Sequence, residues 1–301
     1  MAPGVGLVGC GRWGSKILRD LLVLDARVIV ADPSPEARAT ALLLGAAAVV
    51  EHGAALDDAR CAGYVIAAPI PSLAAAAEEL LRRGKPVFCE KPVFTNDGER
   101  QRLLAAGAAE RLFAMYKFCY HPGIDALRSI VATGELGPLE AIVLQRHGWD
   151  EDFQGTDCLW LAGVHQLSIA HRLLGSLPAP ESVRVARHDG LIAAASFTLG
   201  ETPPVMITVS SRHPAKTQSA AVLCSRGSAL LPDAYANAIV VAKAGQAAEK
   251  RTTSGAMPLL LELEEFLAYL SGGGRPRCGF EMAERVASAV VEIRRLADAP
   301  A

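Results

Sequence analysis

The chain has 301 residues, of which 51% are hydrophobic and 21% charged, and its formal net charge at pH 7 is -2. This composition is typical of a globular protein with a large core and excludes an intrinsically disordered chain. Because the charges nearly balance and no apolar run is long enough to cross a bilayer, we expect neither a nucleic-acid partner nor a membrane partner.

The first 120 residues alternate between predicted strands and predicted helices. We expect strands at 5–8, 27–31, 47–50, 64–67, 86–89 and 112–116, and helices at 15–24, 35–44, 72–83 and 97–109. Strands that alternate with helices of this length form βαβ units around a parallel sheet. The sequence therefore predicts an α/β fold for an N-terminal domain of residues 1–120.

The pattern changes after residue 120. Helices are predicted at 122–133, 160–174, 257–270 and 282–296, and strands at 139–147, 182–188, 191–199, 204–211, 220–224 and 238–242. Strands that follow one another without intervening helices favour an antiparallel sheet with helices on one face. We predict a C-terminal α+β domain over residues 121–301, with a mainly antiparallel open sheet.

Three glycines stand between the first predicted strand and the first predicted helix: Gly9, Gly11 and Gly14. In a dinucleotide-binding turn the first glycine allows a tight bend, the second lets the backbone approach a pyrophosphate, and the third lets helix and strand pack closely. The helix N-terminus then binds the phosphates. A structural glycine turn is the alternative, but this context favours a Rossmann domain.

Asp32 directly follows the second predicted strand, 18 residues after Gly14. A carboxylate at this place in the motif accepts the ribose hydroxyls of NAD and repels the 2′-phosphate of NADP. No arginine immediately follows Asp32. We therefore predict NAD as the cofactor and consider NADP the less favoured one.

The segment Cys89-Glu90-Lys91-Pro92 ends the fifth predicted strand. Ligands of such sheets bind outside the carboxyl ends of the strands, which places Lys91 at the cofactor crevice. A lysine is too costly to bury for packing alone. From these residues alone, a solvated turn and a functional site both remain open.

Several segments of the chain resemble the family of glucose–fructose oxidoreductase, inositol dehydrogenase and MocA (Gfo/Idh/MocA). They are VGCGRWG, AAPIPS, GKPVFCEKP, YHP, GELGPL and AGVHQLSIAHRLLG, in this order from residue 8 to residue 175. The resemblance implies an NAD(P)-dependent oxidoreductase of sugars, polyols or related compounds. It also implies a Rossmann domain followed by an open α/β domain for substrate binding and oligomerisation, often paired through its open sheet.

The resemblance assigns catalysis to Lys91 and His165: the histidine takes the hydroxyl proton, and the lysine stabilises the charge that develops on the reacting oxygen. It extends the cofactor site to a set of residues around the glycine loop and two strand ends. That set is Gly9, Gly11, Arg12, Trp13, Gly14, Asp32, Ala68, Pro69, Glu90 and Lys91. Trp13 either covers the pyrophosphate or packs on the domain.

The chain departs from the family at two acidic positions. Leu161 stands where an aspartate usually precedes the histidine by four residues, and Ser168 stands where another acid often follows it. Asp157 lies eight residues before His165, and we consider it as a substitute carboxylate. Ser72, in the place of a frequent histidine, is expected to cap a helix.

Further substrate-binding candidates lie near the domain junction and after the strand at 139–147. Tyr120 precedes the second domain, and His147 opens a polar stretch with Trp149, Asp150 and Asp152. Loops of this kind often carry binding residues. With Lys91, Asp157 and His165, Tyr120 and His147 complete the predicted substrate site, whereas Arg146 is expected to form a surface salt bridge.

The leading hypothesis is hydride transfer between nicotinamide and a hydroxyl- or keto-bearing carbon of a sugar, amino sugar or cyclitol. An NAD(P)H-dependent imine reductase and a non-catalytic dinucleotide-binding regulator are the alternatives. We expect a homodimer or homotetramer formed through the C-terminal sheet. The seven scattered cysteines contain no CxxC pair, so we expect no disulfide framework, no metal site and a cytoplasmic location. The first predicted strand begins at residue 5, so we expect no signal peptide.

Overall fold

The computed structural model describes residues 3–149 and 155–299. The chain divides into two compact units: residues up to Lys117 with Leu259–Glu284 form unit 1, and Phe118–Pro258 with the residues from Arg285 onward form unit 2. The helices are α1 (Gly14–Val23), α2 (Pro35–Leu44), α3 (Ile70–Leu81), α4 (Asp97–Ala105), α5 (Ala108–Arg111), α6 (Pro122–Thr133), α7 (Val164–Leu174), α8 (Pro258–Leu270) and α9 (Phe280–Asp298).

The strands of unit 1 are β1 (Gly4–Val8), β2 (Arg27–Ala31), β3 (Ala48–Val50), β4 (Gly63–Ile66), β5 (Val87–Glu90) and β6 (Leu112–Met115). They form one parallel sheet in the order β3-β2-β1-β4-β5-β6. The order reverses between β1 and β4, and such a reversal opens a ligand crevice at the carboxyl ends of the strands. The predicted Rossmann-type α/β domain is confirmed.

Local sequence signals explain where the helices of unit 1 begin and end, and α2 is an example. Ser34 precedes the helix, and its Oγ accepts a hydrogen bond from Ala37 N at 3.1 Å. Pro35 occupies the first turn, where the fixed φ of proline suits a helix. Gly45 ends the helix at φ 110°, in the left-handed region that favours glycine.

The helix α8 packs against the sheet of unit 1, although the sequence analysis placed it in a domain of residues 121–301. Phe266 stacks on Phe88 of β5, with ring centroids 5.0 Å apart. Tyr269 meets the edge of Phe113 of β6 at the same centroid distance. Burial of these aromatic rings explains why Leu259–Glu284 belongs to unit 1.

The strands of unit 2 are β7 (Leu139–Trp149), β8 (Pro180–His188), β9 (Leu191–Leu199), β10 (Val205–Ser210), β11 (Arg212–Cys224), β12 (Gly227–Leu231), β13 (Ala238–Lys243) and β14 (Glu249–Thr252). They form one sheet in the order β14-β13-β12-β11-β7-β10-β9-β8. Strands β10 and β7 run parallel, and the other neighbouring pairs are antiparallel. The predicted, mainly antiparallel second sheet is confirmed.

Two strands of this sheet escaped the sequence analysis, and a third is longer than expected. The segment EKRT of β14 is polar throughout and carries no alternation of apolar and polar residues. The segment GSALL of β12 consists mostly of small residues and starts directly after a short turn. The strand β11 begins at Arg212 rather than at residue 220, because its first half is polar and exposed.

Helices cover one face of the sheet in unit 2, and the other face is partly exposed. One face is buried: Leu144 lies opposite Ala220, and Ile142 lies opposite Val222, beneath the helices α6 and α7. The residues between them point to the other face. There Met206 and Leu230 remain 40% and 37% exposed. This second face, named the open face here, is partly apolar.

Candidate active site

The glycine loop of unit 1 requires glycine at its first and last positions. Gly9 has φ 89°, and a Cβ there would lie 2.6 Å from the carbonyl oxygen of Ala67. A Cβ on Gly14 would lie 2.1 Å from the carbonyl oxygen of Gly9. The loop therefore packs directly against the turn after β4 and against the start of α1, as the dinucleotide motif demands.

Gly11 has a different environment, since a Cβ there would meet no atom within 4 Å. The helix α1 begins three residues later with no side-chain hydrogen bond to cap it. The N–H groups of Ser15 and Lys16 donate to the carbonyl oxygens of Gly11 and Trp13, so this end of the helix offers mainly the partial positive charge of its dipole. Open space in front of such a terminus fits the pyrophosphate of a dinucleotide.

Asp32 lies at the carboxyl end of β2, beside this loop, and is 8% exposed. Its Oδ2 accepts a hydrogen bond from Cys10 N at 2.7 Å, and its Oδ1 accepts one from Ser34 N at 2.9 Å. These two bonds fix the carboxylate, whose remaining lone pairs suit ribose hydroxyls. The sequence analysis missed Arg38, which donates to the carbonyl oxygens of Asp32 and Pro33 at 2.8 and 2.9 Å.

Ala68 and Pro69 follow β4, in the turn against which the glycine loop packs. Neither side chain carries a hydrogen-bonding group, so any contribution to a cofactor is through shape and main chain. The structure therefore brings the predicted loop, the acid of β2 and the turn after β4 to one edge of the sheet, at the point where the strand order reverses.

Glu90, predicted to bind the cofactor, joins two parts of unit 1 through its carboxylate. Its Oε1 accepts a hydrogen bond from the indole Nε1 of Trp13, and its Oε2 accepts one from Lys91 N at 3.1 Å. Burial raises the pKa of the Glu90 carboxyl, against the charges of Lys91 and Lys117 and the Trp13 hydrogen bond. Glu90 thus fixes the tryptophan of the glycine loop to the end of β5.

Lys91 follows β5 directly, in a turn with a cis peptide bond to Pro92. Because β5 neighbours β4, Lys91 lies at the same edge of the sheet as the glycine loop. The next strand, β6, is followed at this edge by Lys117, which the sequence analysis missed. The Nζ of Lys117 lies 4.6 Å from the ring centroid of Trp13.

His165 is carried by α7 in unit 2 and is 4% exposed. The ring of Phe118 meets the imidazole edge to face, with centroids 5.2 Å apart. The neighbouring Gln166 is fully buried and accepts a hydrogen bond from Gln218 Nε2 at 2.9 Å. The catalytic candidate therefore sits on a helix whose buried side is fixed by aromatic and amide contacts.

Ser168 and Asp157, which lie near His165 in the sequence, are both engaged in other contacts within unit 2. Ser168 Oγ donates to the carbonyl oxygen of His165 at 2.7 Å, and so it serves the helix backbone. Asp157, considered as a substitute, is buried: its Oδ1 accepts from Ile192 N at 2.8 Å, and its Oδ2 lies 2.6 Å from Arg294 Nη1. Because both oxygens join parts of unit 2, Asp157 is a structural residue.

Tyr120 and His121, at the start of unit 2, are both buried. Tyr120 is 1% exposed. The Nδ1 of His121 accepts a hydrogen bond from Gly123 N at 3.0 Å and so caps α6, and its Nε2 lies 3.2 Å from the carbonyl oxygen of Ala234. Burial lowers the pKa of His121. A substrate-binding role for Tyr120 stays a prediction.

His147 lies on the open face and therefore does not share a site with His165. Its Nδ1 lies 3.1 Å from Thr217 Oγ1, and its ring lies 5.0 Å from that of His213. Burial, and then the charge of His213, lower the pKa of His147. Side chains alternate along a strand, so the adjacent Arg146 points to the helix-covered face instead.

Arg146, for which a surface salt bridge is expected, contacts an amide and an aromatic ring of unit 2. Its Nη1 donates to Gln218 Oε1 at 2.9 Å, and its guanidinium lies 5.6 Å from the ring centroid of Phe118. Two residues of the predicted polar stretch, Asp150 and Asp152, lie outside the described residues. Trp149 is 56% exposed, with the guanidinium of Arg212 4.8 Å from its ring centroid.

Over residues 3–149 and 155–299, no three His, Cys, Asp or Glu side chains group as metal ligands would. No helix in the same ranges is long and apolar enough to cross a membrane.

Comparison with known proteins places this geometry in a family. A family model described as an oxidoreductase family with an NAD-binding Rossmann fold matches residues 4–118. The inositol 2-dehydrogenase of Streptomyces avermitilis is 32% identical over 265 residues, which cover 81% of this chain and 76% of that protein. This chain belongs to the Gfo/Idh/MocA oxidoreductase family.

Other members of the Gfo/Idh/MocA family match over different lengths. Inositol 2-dehydrogenase 2 of Saccharopolyspora erythraea is 27% identical over 207 residues, and the match spans 64% of this chain and 59% of that protein. This chain therefore matches less than two thirds of that relative's length. Levoglucosan dehydrogenase, solved in complex with NADH, has the same fold: the TM-score is 0.88 at 16% identity, covering 99% of this chain and 97% of that one.

Proposed function

We propose that this family member is an NAD-dependent oxidoreductase that moves a hydride between nicotinamide and a hydroxyl- or keto-bearing carbon of a sugar, amino sugar or cyclitol. The observation that carries the proposal is the position of Lys91, one residue beyond β5 at the sheet edge that also holds the glycine loop. The names of the relatives, which include inositol dehydrogenases, support this substrate class.

Lys91 and His165 would divide the chemistry between them. NAD, when bound, supplies the acceptor for the hydride that leaves the substrate carbon. An imidazole nitrogen of His165 takes the hydroxyl proton, and the ammonium of Lys91 donates a hydrogen bond to the oxygen on which negative charge develops. In the reverse direction the imidazolium returns the proton to that oxygen.

Reduction of a carbon–nitrogen double bond is the second candidate. The observation that favours it is the engagement of Asp157 by Ile192 and Arg294, because the two positions where the family usually has acids hold the uncharged Leu161 and Ser168. An imine needs a proton donor more than a clamp for an alkoxide. Loss of a carboxylate would therefore harm imine reduction less than alcohol oxidation.

The proposal is tested by absorbance at 340 nm with a panel of sugars, amino sugars and cyclitols. Each compound is offered with NAD and with NADP, because Arg38 adds a cation at the turn of Asp32. We expect NADH to form with at least one polyol and NADP to react more slowly. Turnover of cyclic imines with NADH, without any polyol oxidation, would favour the second candidate. Silence in both panels, with NADH bound, would contradict both and favour a regulator.

A homodimer or homotetramer joined through the open face belongs to the same proposal. Its support is the set of partly exposed apolar residues on that face, which includes Met206, Leu223 and Leu230. We expect light scattering to give a mass at least twice that of the 31.6 kDa chain. Replacing Met206 and Leu230 together by aspartate should lower that mass, and a monomeric wild type would contradict the proposal.

A reducing, cytoplasmic setting is supported by the buried thiols of all seven cysteines.

A further inference from the structure

Two of the seven lysines in the chain lie beside one side chain, the indole of Trp13. The Nζ of Lys16 lies 5.1 Å from the ring centroid, and the Nζ of Lys117 lies 4.6 Å from it. Glu90 holds this ring: its carboxylate accepts hydrogen bonds from the indole N–H of Trp13 and from the main-chain N–H of Lys91. Two ammonium groups thus lie beside a ring that one carboxylate holds.

The N-terminus of α1 adds positive charge at the same place. Trp13 directly precedes α1, and the first turn of that helix contains no acidic residue. Proteins ordinarily place acids there, because the helix dipole makes this end positive. This chain places Arg12 before the helix and Lys16 within its first turn, so two cations stand where the dipole opposes them.

Cations beside the positive end of a helix dipole attract an anion to that end, and such local conflicts mark functional sites. The open space at Gly11 offers room for that anion. Lys16 and Arg12 belong to the loop and its helix, whereas Lys117 comes from the end of β6. A cation from a separate element can approach an anion from another side of the loop.

We propose that Lys117 is an anion-binding residue, held over Trp13 so that its ammonium meets phosphate or carboxylate oxygens at the glycine loop. The anion is either the pyrophosphate of the dinucleotide or an acidic group of the substrate. The inference deepens the proposed function. It rests on that function where the anion is an acidic group of the substrate. Glu90 acts here as a positioning residue, because it fixes the ring over which Lys117 lies.

The test uses Lys117→Met, which keeps the length and the packing of the side chain but removes its charge. Lys117→Arg restores the charge, and Lys250→Met is a control at an exposed lysine of unit 2. The affinity of each full-length protein is measured for ADP-ribose, which carries the pyrophosphate without nicotinamide, and for NADH by fluorescence. Binding of D-glucuronate and of D-glucose to the NADH complex is measured by the change in that fluorescence.

If the anion is the pyrophosphate, Lys117→Met should weaken ADP-ribose and NADH binding about tenfold or more, and Lys117→Arg should recover most of it. The variant should also bind NADH with a smaller dependence on salt. If the anion belongs to the substrate, ADP-ribose and NADH should bind as before, and only the preference for glucuronate over glucose should disappear.

Unchanged affinities for all four ligands in Lys117→Met would overturn the inference. These binding measurements need no turnover, so they are independent of the 340 nm panel. A silent panel with weakened ADP-ribose binding would contradict the proposed function alone. Thermal melting shows whether each variant folds. If Lys117→Met does not fold, the binding affinities of Lys117→Arg are compared with those of the wild type instead.

Discussion

Replacing Lys91 by methionine should lower kcat by roughly 10²- to 10³-fold, which is the loss expected when a donor to a developing oxyanion is removed. The affinity for NADH should stay within about twofold of the wild type. This limit is strict, because a loss of only about 1.4 kcal/mol in binding free energy would weaken NADH binding about tenfold. The physical reason is that Lys91 would contribute more to the charged transition state than to the bound ground state.

The measurement is steady-state turnover of the substrate found in the panel, together with a fluorescence titration of NADH. Lys250→Met serves again as the control, because it removes an ammonium group from an exposed strand of unit 2. A kcat within threefold of the wild type would contradict the assignment of Lys91. Loss of NADH binding in parallel with kcat would assign Lys91 to the cofactor instead.

Replacing His165 by asparagine should lower kcat/KM by roughly 10²- to 10⁴-fold and change the pH profile. A histidine base accepts a proton only when it is neutral, so the wild-type rate of oxidation should fall as the solution becomes acidic. The variant should lose that dependence, because asparagine does not titrate. Its residual rate should rise with the concentration of hydroxide if solvent takes over as the base.

His171→Asn is the matched control, since it removes a histidine from the same helix, six residues further on. It should keep both the rate and the acid limb of the profile. Asp157→Asn offers a second comparison: it should lower the melting temperature, because a buried tie to Ile192 and Arg294 is weakened, and should leave the profile in place. An unchanged acid limb in His165→Asn would rule out this histidine as the base.

The glycine loop and its acid illustrate what local sequence determines. Gly9 and Gly14 are needed because a Cβ at either would collide with a main-chain carbonyl oxygen, and only glycine avoids that. The position of Asp32 follows from the length of β2, because this strand ends at Ala31, directly before it. Short-range geometry of this kind depends on neighbouring residues, and so the pattern of residues predicts it.

The pair Arg146 and His147 illustrates the limit of that reasoning. The two residues are adjacent in one strand, and alternation alone assigns them to opposite faces. Which face of the sheet is covered depends on where α6 and α7 pack. These helices are distant in sequence from β10 and β11, the strands that flank β7. The sequence analysis therefore favoured His147 for the site, whereas the structure places Arg146 on the helix-covered face with Gln218.

The sequence by itself determined the alternation of strands and helices in unit 1, the dinucleotide loop and the acid at the end of β2. It also determined the family of the chain, which names Lys91 and His165 as catalytic candidates. Only the tertiary structure decided that α8 packs on Phe88, that Asp157 is a structural tie and that Lys117 meets Trp13. The physical reason is the range of the forces involved. Turns and periodicity are set by contacts between neighbours, whereas partners more than a hundred residues apart are chosen by packing and burial.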